Sequence, residues 1–420
     1  MSIDGIRKLR REGYELASAQ PQAAYDVPLT TSADYTRPQG FIPPEQVAAH
    51  DDQTPEPTEP PVQKPKRSFK QWLAARSKKQ WIIFSVIIVL VIANGVGTYF
   101  MLHKKAPIAQ KPIVKAKKVV PTPPPTTEAS KLTGRQVGFD VNKRPVIAVM
   151  IENSFDARPQ SGLDQAGVVF EAVAEGGITR FVAFFQDTDP GYIGPVRSVR
   201  PYYLQWVLGF DAAIAHAGGS AEALASIPAW GVKDLNHDST HFYRIGSRAA
   251  PHNLYTDITK LRDYASQKGF GASQFTGFER KSDKPSKAPN ARIMSFGVSG
   301  DGFNPTFTYD PADNSYARAQ DGKPHMVVDG SGNQTQIKPK VVVALVMQKG
   351  NNGIYTTYGS LGSGHAFVFQ DGTVTEGNWS KPDKNASLAL TDATGKTIKL
   401  NAGQTWFSVV GGNDRVGYQP

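Results

Sequence analysis

The sequence predicts a mixed α+β or α/β fold, in which a mixed sheet with helices is followed by a mostly β subdomain. One transmembrane helix is expected to precede both parts. Residues 81–102 carry no charged side chain. Between residues 135 and 285, short apolar segments rich in β-branched residues alternate with helix-like segments, which is typical of an α/β layer. After residue 285, strand-like pieces are joined by Asp-Gly and Gly-rich turns, which indicate the β-rich subdomain.

The apolar run "WIIFSVIIVLVIANGVGTYFML" occupies residues 81–102. A helix of this length spans roughly 33 Å at about 1.5 Å per residue, enough to cross the hydrocarbon core of a bilayer. The apolar region of a signal peptide is shorter and lies nearer the N-terminus. The run therefore predicts a transmembrane helix.

Positive charge is concentrated around this run. Residues 1–63 have a net charge of −5, residues 64–134 have +13, and residues 135–420 have only +2. A nucleic-acid-binding protein would carry its positive charge on the folded part, so we expect no nucleic-acid partner. The chain has no cysteine, which excludes disulfides, thiolate nucleophiles and cysteine zinc sites.

The orientation of the helix is not decided by counting alone, because basic residues flank both of its ends. Residues 64–79 hold seven Lys or Arg and residues 104–118 hold six. The first cluster is denser and is accompanied by Trp72 and Trp81, which suit the membrane interface. We therefore expect the N-terminus in the cytoplasm and the C-terminal domain outside it.

Composition divides the chain into five segments. Residues 16–66 are rich in Pro, Gln, Asp, Glu and Thr without an apolar period, a composition that cannot bury a core. The predicted segments are a disordered cytoplasmic tail (1–80), the transmembrane helix (81–102), a Pro/Lys-rich linker (103–134), an α/β subdomain (135–285) and a β-rich subdomain (286–420).

Within the α/β part, periodicity and capping signals predict elements in order. Pro201 suits the first turn of a helix that ends near Leu208 with Gly209 as its stop. Ser220 and Thr256 are expected N-caps of two further helices, the second ending at Gly269. The predicted strands are 144–153, 167–177, 179–187 and 211–217, with Gly176 and Gly177 as a hairpin turn.

The stretch "GPVRSVRPYY" places Arg197 and Arg200 three positions apart, with no Asp or Glu between residues 191 and 210. Their partners are therefore not local. Guanidinium groups match carboxylate or phosphate, and a helix N-terminus beside them adds donors. Two interpretations remain open: an anionic ligand, or an internal network in which Arg180, Arg197 and Arg200 pair with Glu171 and Glu175.

Other polar residues fall in loops where ligands commonly bind. "HAGGSAEAL" puts His216 at a strand end and Ser220 at a helix start, but the G-x-S-x-G pattern of a nucleophile is not met. "RAAPHNLYTD" places Arg248, His252 and Asn253 in an irregular segment. The histidines of "NHDSTH" could take part in a zinc site, yet no general-base motif accompanies them. We expect no metal and no cofactor.

The motifs "ARPQSGLDQAGVVFEAVAEGGITRF", "IGPVRSVRPYY", "HAGGS" and "APHNLYTD" together resemble the YerB-like bacterial family, known as domain of unknown function 3048. The resemblance covers about residues 140–420 and follows the same order of motifs. It implies an envelope protein held at the membrane by a lipid-modified cysteine or an N-terminal helix. Because this chain lacks cysteine, the helix is the expected anchor.

The resemblance implies no reaction, but it directs attention to the residues within its motifs. We expect a binding module for an anionic envelope component, such as peptidoglycan or a phosphate-bearing polymer. The alternatives are a hydrolase or transferase on that polymer, with Glu175 or His252 as acid or base, and an envelope scaffold. The candidate ligand-binding residues are Arg158, Glu171, Glu175, Arg180, Arg197, Arg200, His216, Ser220, Arg248, His252 and Asn253.

Overall fold

The computed structural model describes residues 77–103 and 125–420. The chain divides into two compact units, residues 1–116 and 117–420. The predicted disordered tail lies outside the described residues except for residues 77–80, and so does most of the predicted linker.

The described part of the first unit is helix α1, Lys78–Leu102. It begins three residues before the predicted start, with the backbone N–H of Ser77 donating to Oε1 of Gln80 at 3.1 Å. The stretch Lys78–Tyr99 has the length and apolar composition of a membrane-crossing helix. Asn94, its strongest polar residue, donates from Nδ2 to the carbonyl oxygen of Leu90 at 2.8 Å, so the amide is satisfied within the helix.

The second unit has an α+β architecture with mixed sheets. Its α-helices among the described residues are α2 (Pro201–Leu208), α3 (Ala221–Trp230) and α4 (Ile258–Gln267). Its strands are β1 (Glu128–Ala129), β2 (Gln136–Val137), β3 (Ile147–Glu152), β4 (Val168–Glu175), β5 (Ile178–Phe185), β6 (Ala213–His216), β7 (Lys233–Asn236), β8 (Tyr243–Arg244), β9 (Leu254–Tyr255), β10 (Arg280–Lys281), β11 (Ile293–Phe296), β12 (Pro305–Asp310), β13 (Ser315–Gln320), β14 (Lys323–Pro324), β15 (Met326–Val328), β16 (Gln334–Gln336), β17 (Val341–Val346), β18 (Lys349–Asn352), β19 (Tyr355–Tyr358), β20 (Gly362–Gln370), β21 (Thr373–Lys381), β22 (Ala389–Asp392), β23 (Leu400–Asn401), β24 (Thr405–Val410) and β25 (Val416–Gln419).

A 12-stranded sheet forms the centre of this unit, with ten strands in the order β22-β21-β20-β17-β24-β4-β5-β3-β6-β7. The hairpin β18–β19 joins it through β4, where Tyr355 pairs with Glu175. Strand β24 runs parallel to both β4 and β17. The sheet therefore contains strands from before and after residue 285, although the sequence predicts two separate subdomains that meet at this position.

Two apolar layers cover the faces of the main sheet. Helices α2 and α3 pack on one face through residues such as Leu204, Trp206 and Ile227. Helix α4 and a five-stranded sheet in the order β14-β13-β12-β11-β25 pack on the other face, through residues such as Leu261 and Phe307. The alternation of apolar side chains along β3, β4 and β5 fills both layers, because successive residues point to opposite faces.

Local sequence signals correctly predicted the bounds of α2 and the N-cap of α3. Helix α2 has the predicted bounds, and Oγ of Ser220 accepts from the backbone N–H of Ala223 at 3.3 Å as the α3 cap. The expected cap Thr256 was wrong by one residue: Asp257 caps α4 by accepting from the N–H of Lys260. The hydroxyl of Thr256 instead donates to the carbonyl oxygen of His241 at 2.8 Å.

The folded unit also begins upstream of residue 135, where the sequence placed the end of the linker. Strands β1 and β2 pair across residues 128–137, and Leu132 is 1% exposed in the layer that holds α2 and α3. Nη2 of Arg280 donates to the carbonyl oxygen of Leu132 at 2.5 Å. The polar composition of these residues resembles a linker and gives no local sign of a hairpin. The contacts that bury Leu132 come from segments far away in the sequence, such as Arg280.

Candidate functional site: a cleft at the carboxyl edge of the main sheet

Strands β3, β4, β6 and β7 of the main sheet end at the same edge. Strands β3, β6 and β7 are parallel, and β4 has the same direction because both β3 and β4 are antiparallel to β5. Their last residues are Glu152, Glu175, His216 and Asn236. Open sheets with parallel strands bind ligands outside the carboxyl ends of those strands, so this edge is where a site is expected.

The segment with Arg197 and Arg200 crosses this edge. The backbone N–H of Arg197 donates to the carbonyl oxygen of Met150 at 2.9 Å, and the N–H of Val199 donates to that of Gly218 at 3.0 Å. The segment is thus tied to the ends of β3 and β6. Its two arginines have different partners.

Glu175 is held between Arg200 and Arg180. Its Oε1 accepts a hydrogen bond from Nη2 of Arg180 at 2.5 Å, and its Oε2 accepts one from Nη2 of Arg200. The side chains of Arg180 and Arg200 are 2% and 4% exposed, and that of Glu175 is 28% exposed. Burial raises the pKa of Glu175, but the charges of Arg180 and Arg200 outweigh burial and leave this pKa below its usual value. Two guanidinium groups face one carboxylate, so one positive charge is left over.

Arg197 pairs with Glu152, an acid that the sequence analysis did not single out. Its Nε donates to Oε1 of Glu152 at 3.1 Å. The same oxygen accepts from Oγ of Ser154 at 3.0 Å, and Oε2 lies 3.0 Å from Nδ1 of His252. His252 therefore meets a carboxylate, but not that of Glu171 or Glu175. A signal was present in the sequence, because Glu152 is the acid at the carboxyl end of a predicted buried strand.

The internal-network interpretation made Glu171 a partner of Arg180, Arg197 and Arg200, but Glu171 pairs with Arg318 instead. Glu171 and Arg318 are both 0% exposed, and Nη2 of Arg318 donates to Oε1 of Glu171 at 2.7 Å. Oε2 of Glu171 accepts from Nε1 of Trp406 at 3.1 Å and from Oγ of Ser408 at 3.2 Å. Glu171 points to the opposite face of the sheet from α2, where Arg318 of β13 reaches it.

The Arg318 pair continues into a buried polar network. Nη1 of Arg318 donates to Nδ1 of His325, and Nε2 of His325 lies 2.8 Å from Oε1 of Gln160. Burial and the charges of Arg318 and Arg158 hold the pKa of His325 well below its usual value. The imidazole is therefore neutral and accepts from the guanidinium, which is a structural role.

The remaining candidates are bonded within the fold. His216 is 0% exposed, with Nδ1 and Nε2 lying 2.8 and 2.9 Å from the carbonyl oxygen of Gly218 and Oδ1 of Asp234. Arg248 donates to the carbonyl oxygens of Ala157 and Pro159, both at 2.7 Å.

Arg158 and Asn253 likewise hold loops together. Nη2 of Arg158 donates to the carbonyl oxygen of Gly302 at 2.8 Å. Oδ1 of Asn253 accepts from Nη1 of Arg244 at 2.6 Å, and its Nδ2 donates to the carbonyl oxygens of Ile245 and Arg248. Neither residue lines the cleft described next.

A cleft of about 550 Å³ opens beside Arg200. Three segments line it: the first turn of α2, the first turn of α3 with its cap Ser220, and residues 352–358 of the β18–β19 hairpin. Pockets of this volume suit small ligands. Of the predicted residues, the structure brings Arg200 and Ser220 to this cleft, with Glu175 and Arg180 behind Arg200.

Arg200 is the charged side chain best placed to bind an anion in this cleft. Its guanidinium carbon lies 4.7 Å from the ring centroid of Tyr355. Arg200 is 3% exposed, and its Nε is enclosed without a hydrogen-bond partner among the described residues. Nη1 of Arg200 donates to the carbonyl oxygen of Val199 at 2.7 Å and Nη2 donates to Glu175, and these bonds fix the guanidinium at the wall of the cleft.

The hairpin residues were missed by sequence reasoning. Tyr355 and Tyr358 lie after residue 285, where the sequence predicts only strand-like pieces joined by turns, and nothing local connects them with the arginine motif. The hydroxyl of Tyr202 donates to the carbonyl oxygen of Val173 at 2.6 Å, and that of Tyr358 accepts from the N–H of the same residue at 3.2 Å. Both phenols are thereby fixed on β4, which holds their rings against the cleft.

Among residues 77–103 and 125–420, no group of three or more His, Asp or Glu side chains is arranged to hold a metal ion. His241 of the "NHDSTH" stretch lies with Nδ1 2.8 Å from Oδ2 of Asp238 and stacks on Tyr264 with ring centroids 4.2 Å apart. These contacts give the histidine a local structural role.

Fold and cleft together define an α+β protein with a ligand-sized cleft at the carboxyl edge of its main sheet. Comparison with known proteins adds a family. "Protein of unknown function (DUF3048) N-terminal domain" matches residues 132–271, and the corresponding C-terminal domain matches residues 295–407. The chain belongs to this family, which confirms the resemblance seen in its motifs.

Two findings on Bacillus subtilis YerB support the assignment. The protein named "Putative lipoprotein YerB" from strain 168 is 32% identical over 290 residues, covering 66% of this chain and 85% of the relative. The crystal structure of YerB has a TM-score of 0.62 at 27% identity, covering 69% of this chain and 99% of that chain. Both family matches fall within the second unit, residues 117–420.

Proposed function

We propose that this chain is a membrane-anchored, extracytoplasmic protein whose folded unit binds an anionic component of the cell envelope. The observation that carries this proposal is the cleft beside Arg200, where an enclosed cation and the first turns of α2 and α3 meet. Helix N-termini present unpaired backbone N–H groups and a favourable dipole to an anion.

Charge supports an anionic ligand. The trio of Glu175, Arg180 and Arg200 keeps one uncompensated positive charge, and Arg200 lines the cleft. Guanidinium groups bind carboxylates and phosphates through two parallel hydrogen bonds. The ligand is therefore a carboxylate of peptidoglycan or a phosphate of an envelope polymer.

The other lining residues suit a glycan or a peptide attached to it. Tyr355 and Tyr358 offer ring surface, while Thr356, Thr357 and Asn352 offer hydroxyl and amide groups. Pockets that combine aromatic surface with a few polar groups are typical of small-molecule sites. Both oxygens of Glu175 are occupied by arginines, which disfavours this residue as an acid or base.

The test is a titration of the full-length protein, in nanodiscs, with soluble peptidoglycan fragments that carry free carboxylates. We expect binding that Arg200→Ala weakens by roughly 10-fold or more, because a charge-assisted hydrogen bond is lost. Arg200→Lys should restore it only in part, since an ammonium lacks the planar fork. Arg415→Ala, a change at an exposed arginine outside the cleft, is the control. Equal affinity of the Arg200→Ala and Arg415→Ala variants would place the ligand elsewhere.

The location is tested separately. We propose that α1 crosses the membrane once, with residues 125–420 outside the cytoplasm, because the relative is named a lipoprotein and α1 is long and apolar. Protease added to intact spheroplasts should then remove a C-terminal epitope and spare an N-terminal one. Permeabilised spheroplasts, in which both epitopes are digested, are the control. Protection of the C-terminal epitope in intact spheroplasts would contradict the orientation.

A further inference from the structure

The cleft beside Arg200 also contains an acid. Glu222 lines it from the first turn of α3, where it is exposed. Glu222 has no ion pair among the described residues, whereas Glu175 behind the cleft is fully engaged by its two arginines. The cleft therefore presents one positive and one negative side chain to a ligand.

An acid in the first turn of a helix is ordinarily explained by its favourable interaction with the helix dipole. In this cleft the same carboxylate has a second consequence. It repels an anion that approaches the N–H groups of α3, so a ligand with negative charge alone is imperfectly matched. A ligand that brings its own cation to Glu222 removes this repulsion and adds an attraction.

We propose that the cleft recognises an anionic group and an ammonium group on the same ligand, with Arg200 taking the anion and Glu222 taking the ammonium. This inference rests on the proposed binding function and specifies its ligand. Arg200, which lines the cleft and shares the single carboxylate of Glu175 with Arg180, supplies the anion-binding end. The shared chemistry occurs in a diamino-acid residue of a wall peptide, and in a phosphate polymer esterified with an amino acid.

Matched probes separate these sources and test the role of the amine. The first pair is a tripeptide ending in diaminopimelate and the same tripeptide acetylated on its side-chain amine. The second pair is D-alanyl glycerol phosphate and glycerol phosphate. Each is titrated into the full-length protein in nanodiscs at low salt, with wild type, Glu222→Gln and the control Glu279→Gln, whose carboxylate lies outside the cleft and faces Lys399.

We expect one probe with a free amine to bind roughly two- to fivefold more tightly than its matched partner, the range of a solvent-exposed ion pair. Glu222→Gln should abolish this preference and leave the affinity for the amine-free partner equal or higher. Glu279→Gln should preserve the preference. Which pair shows the preference identifies the source of the ligand.

The outcomes distinguish this inference from the proposed function. If both members of a pair bind equally and Glu222→Gln changes neither, the ammonium inference is wrong while anion binding at Arg200 stands. If no probe binds, or Arg200→Ala leaves binding unchanged, the proposed function fails and the inference fails with it. A preference for the amine that persists in Glu222→Gln would assign the ammonium to another acid.

Discussion

Replacing Arg318 by Met should lower the free energy of unfolding by about 3–5 kcal/mol, because it leaves the carboxylate of Glu171 buried without its cation. Both side chains are 0% exposed, and the remaining donors to Glu171 are Trp406 and Ser408. Chemical denaturation of the full-length protein, followed by tryptophan fluorescence, measures the loss.

A double variant sharpens this prediction. Arg318→Met combined with Glu171→Gln removes the unpaired charge, so it should be more stable than Arg318→Met alone. The matched control is Lys399→Met, which breaks a solvent-exposed pair with Glu279 of N–O distance 3.2 Å and should cost about 1 kcal/mol or less. A double variant no more stable than the single one would show that Glu171 is not held by its charge.

Glu175→Gln should give the second large loss, about 3 kcal/mol at pH 7, because Arg180 and Arg200 are then buried without a carboxylate between them. The pKa of Glu175 lies below its usual value in the folded protein. Its contribution is therefore complete above the pKa of the unfolded chain, roughly 4.3, and is lost as pH falls through the folded pKa. The stability difference between wild type and Glu175→Gln should shrink as pH drops below about 4.

Denaturation curves between pH 7 and pH 2 measure this narrowing. Glu279→Gln, at an acid whose side chain is 54% exposed, serves as the control and should change stability by less than about 1 kcal/mol at every pH. A loss at pH 7 as small as that of the control would mean that Glu175 does not organise the two arginines.

The local parts of the fold were readable from the sequence because their signals lie within a few residues. Pro201 at the start of α2 and Ser220 at the cap of α3 act through neighbouring backbone groups. Strands β3 to β6 followed from short apolar runs. The N-cap of α4 is Asp257 and not the predicted Thr256. Both residue types are capable of capping, and only the hydrogen bond of Thr256 to His241 decides between them.

The pairings between distant segments were not readable in this way. Glu171 lies 147 residues from Arg318, and periodicity along β4 shows that Glu171 is buried without showing which cation reaches it. Likewise, β24 inserts between β4 and β17, and its apolar sequence indicates a buried strand without showing which strands it pairs with. Strand order depends on packing across the whole sheet, which a local pattern does not encode.

The candidate site was predicted in part for the same reason. The arginine motif and Ser220 were identified because they lie beside helix starts, and both line the cleft. Tyr355 and Glu222 were not, since one is brought by a hairpin that pairs with the end of β4 and the other resembles an ordinary first-turn acid. Arg197 was expected to share a site with Arg200. Its Nε instead donates to Glu152, so the two arginines of the motif pair with different carboxylates.

A crystal structure of the protein soaked with a peptidoglycan fragment that carries a free carboxylate and a free amine shows directly whether the cleft beside Arg200 is the binding site. The carboxylate of the fragment should accept hydrogen bonds from Arg200 and its ammonium should lie against Glu222 in the first turn of α3, with the ligand against the ring of Tyr355. A fragment bound elsewhere with this cleft empty, or bound here with Arg200 making no contact to it, would rule out Arg200 as the anion-binding residue.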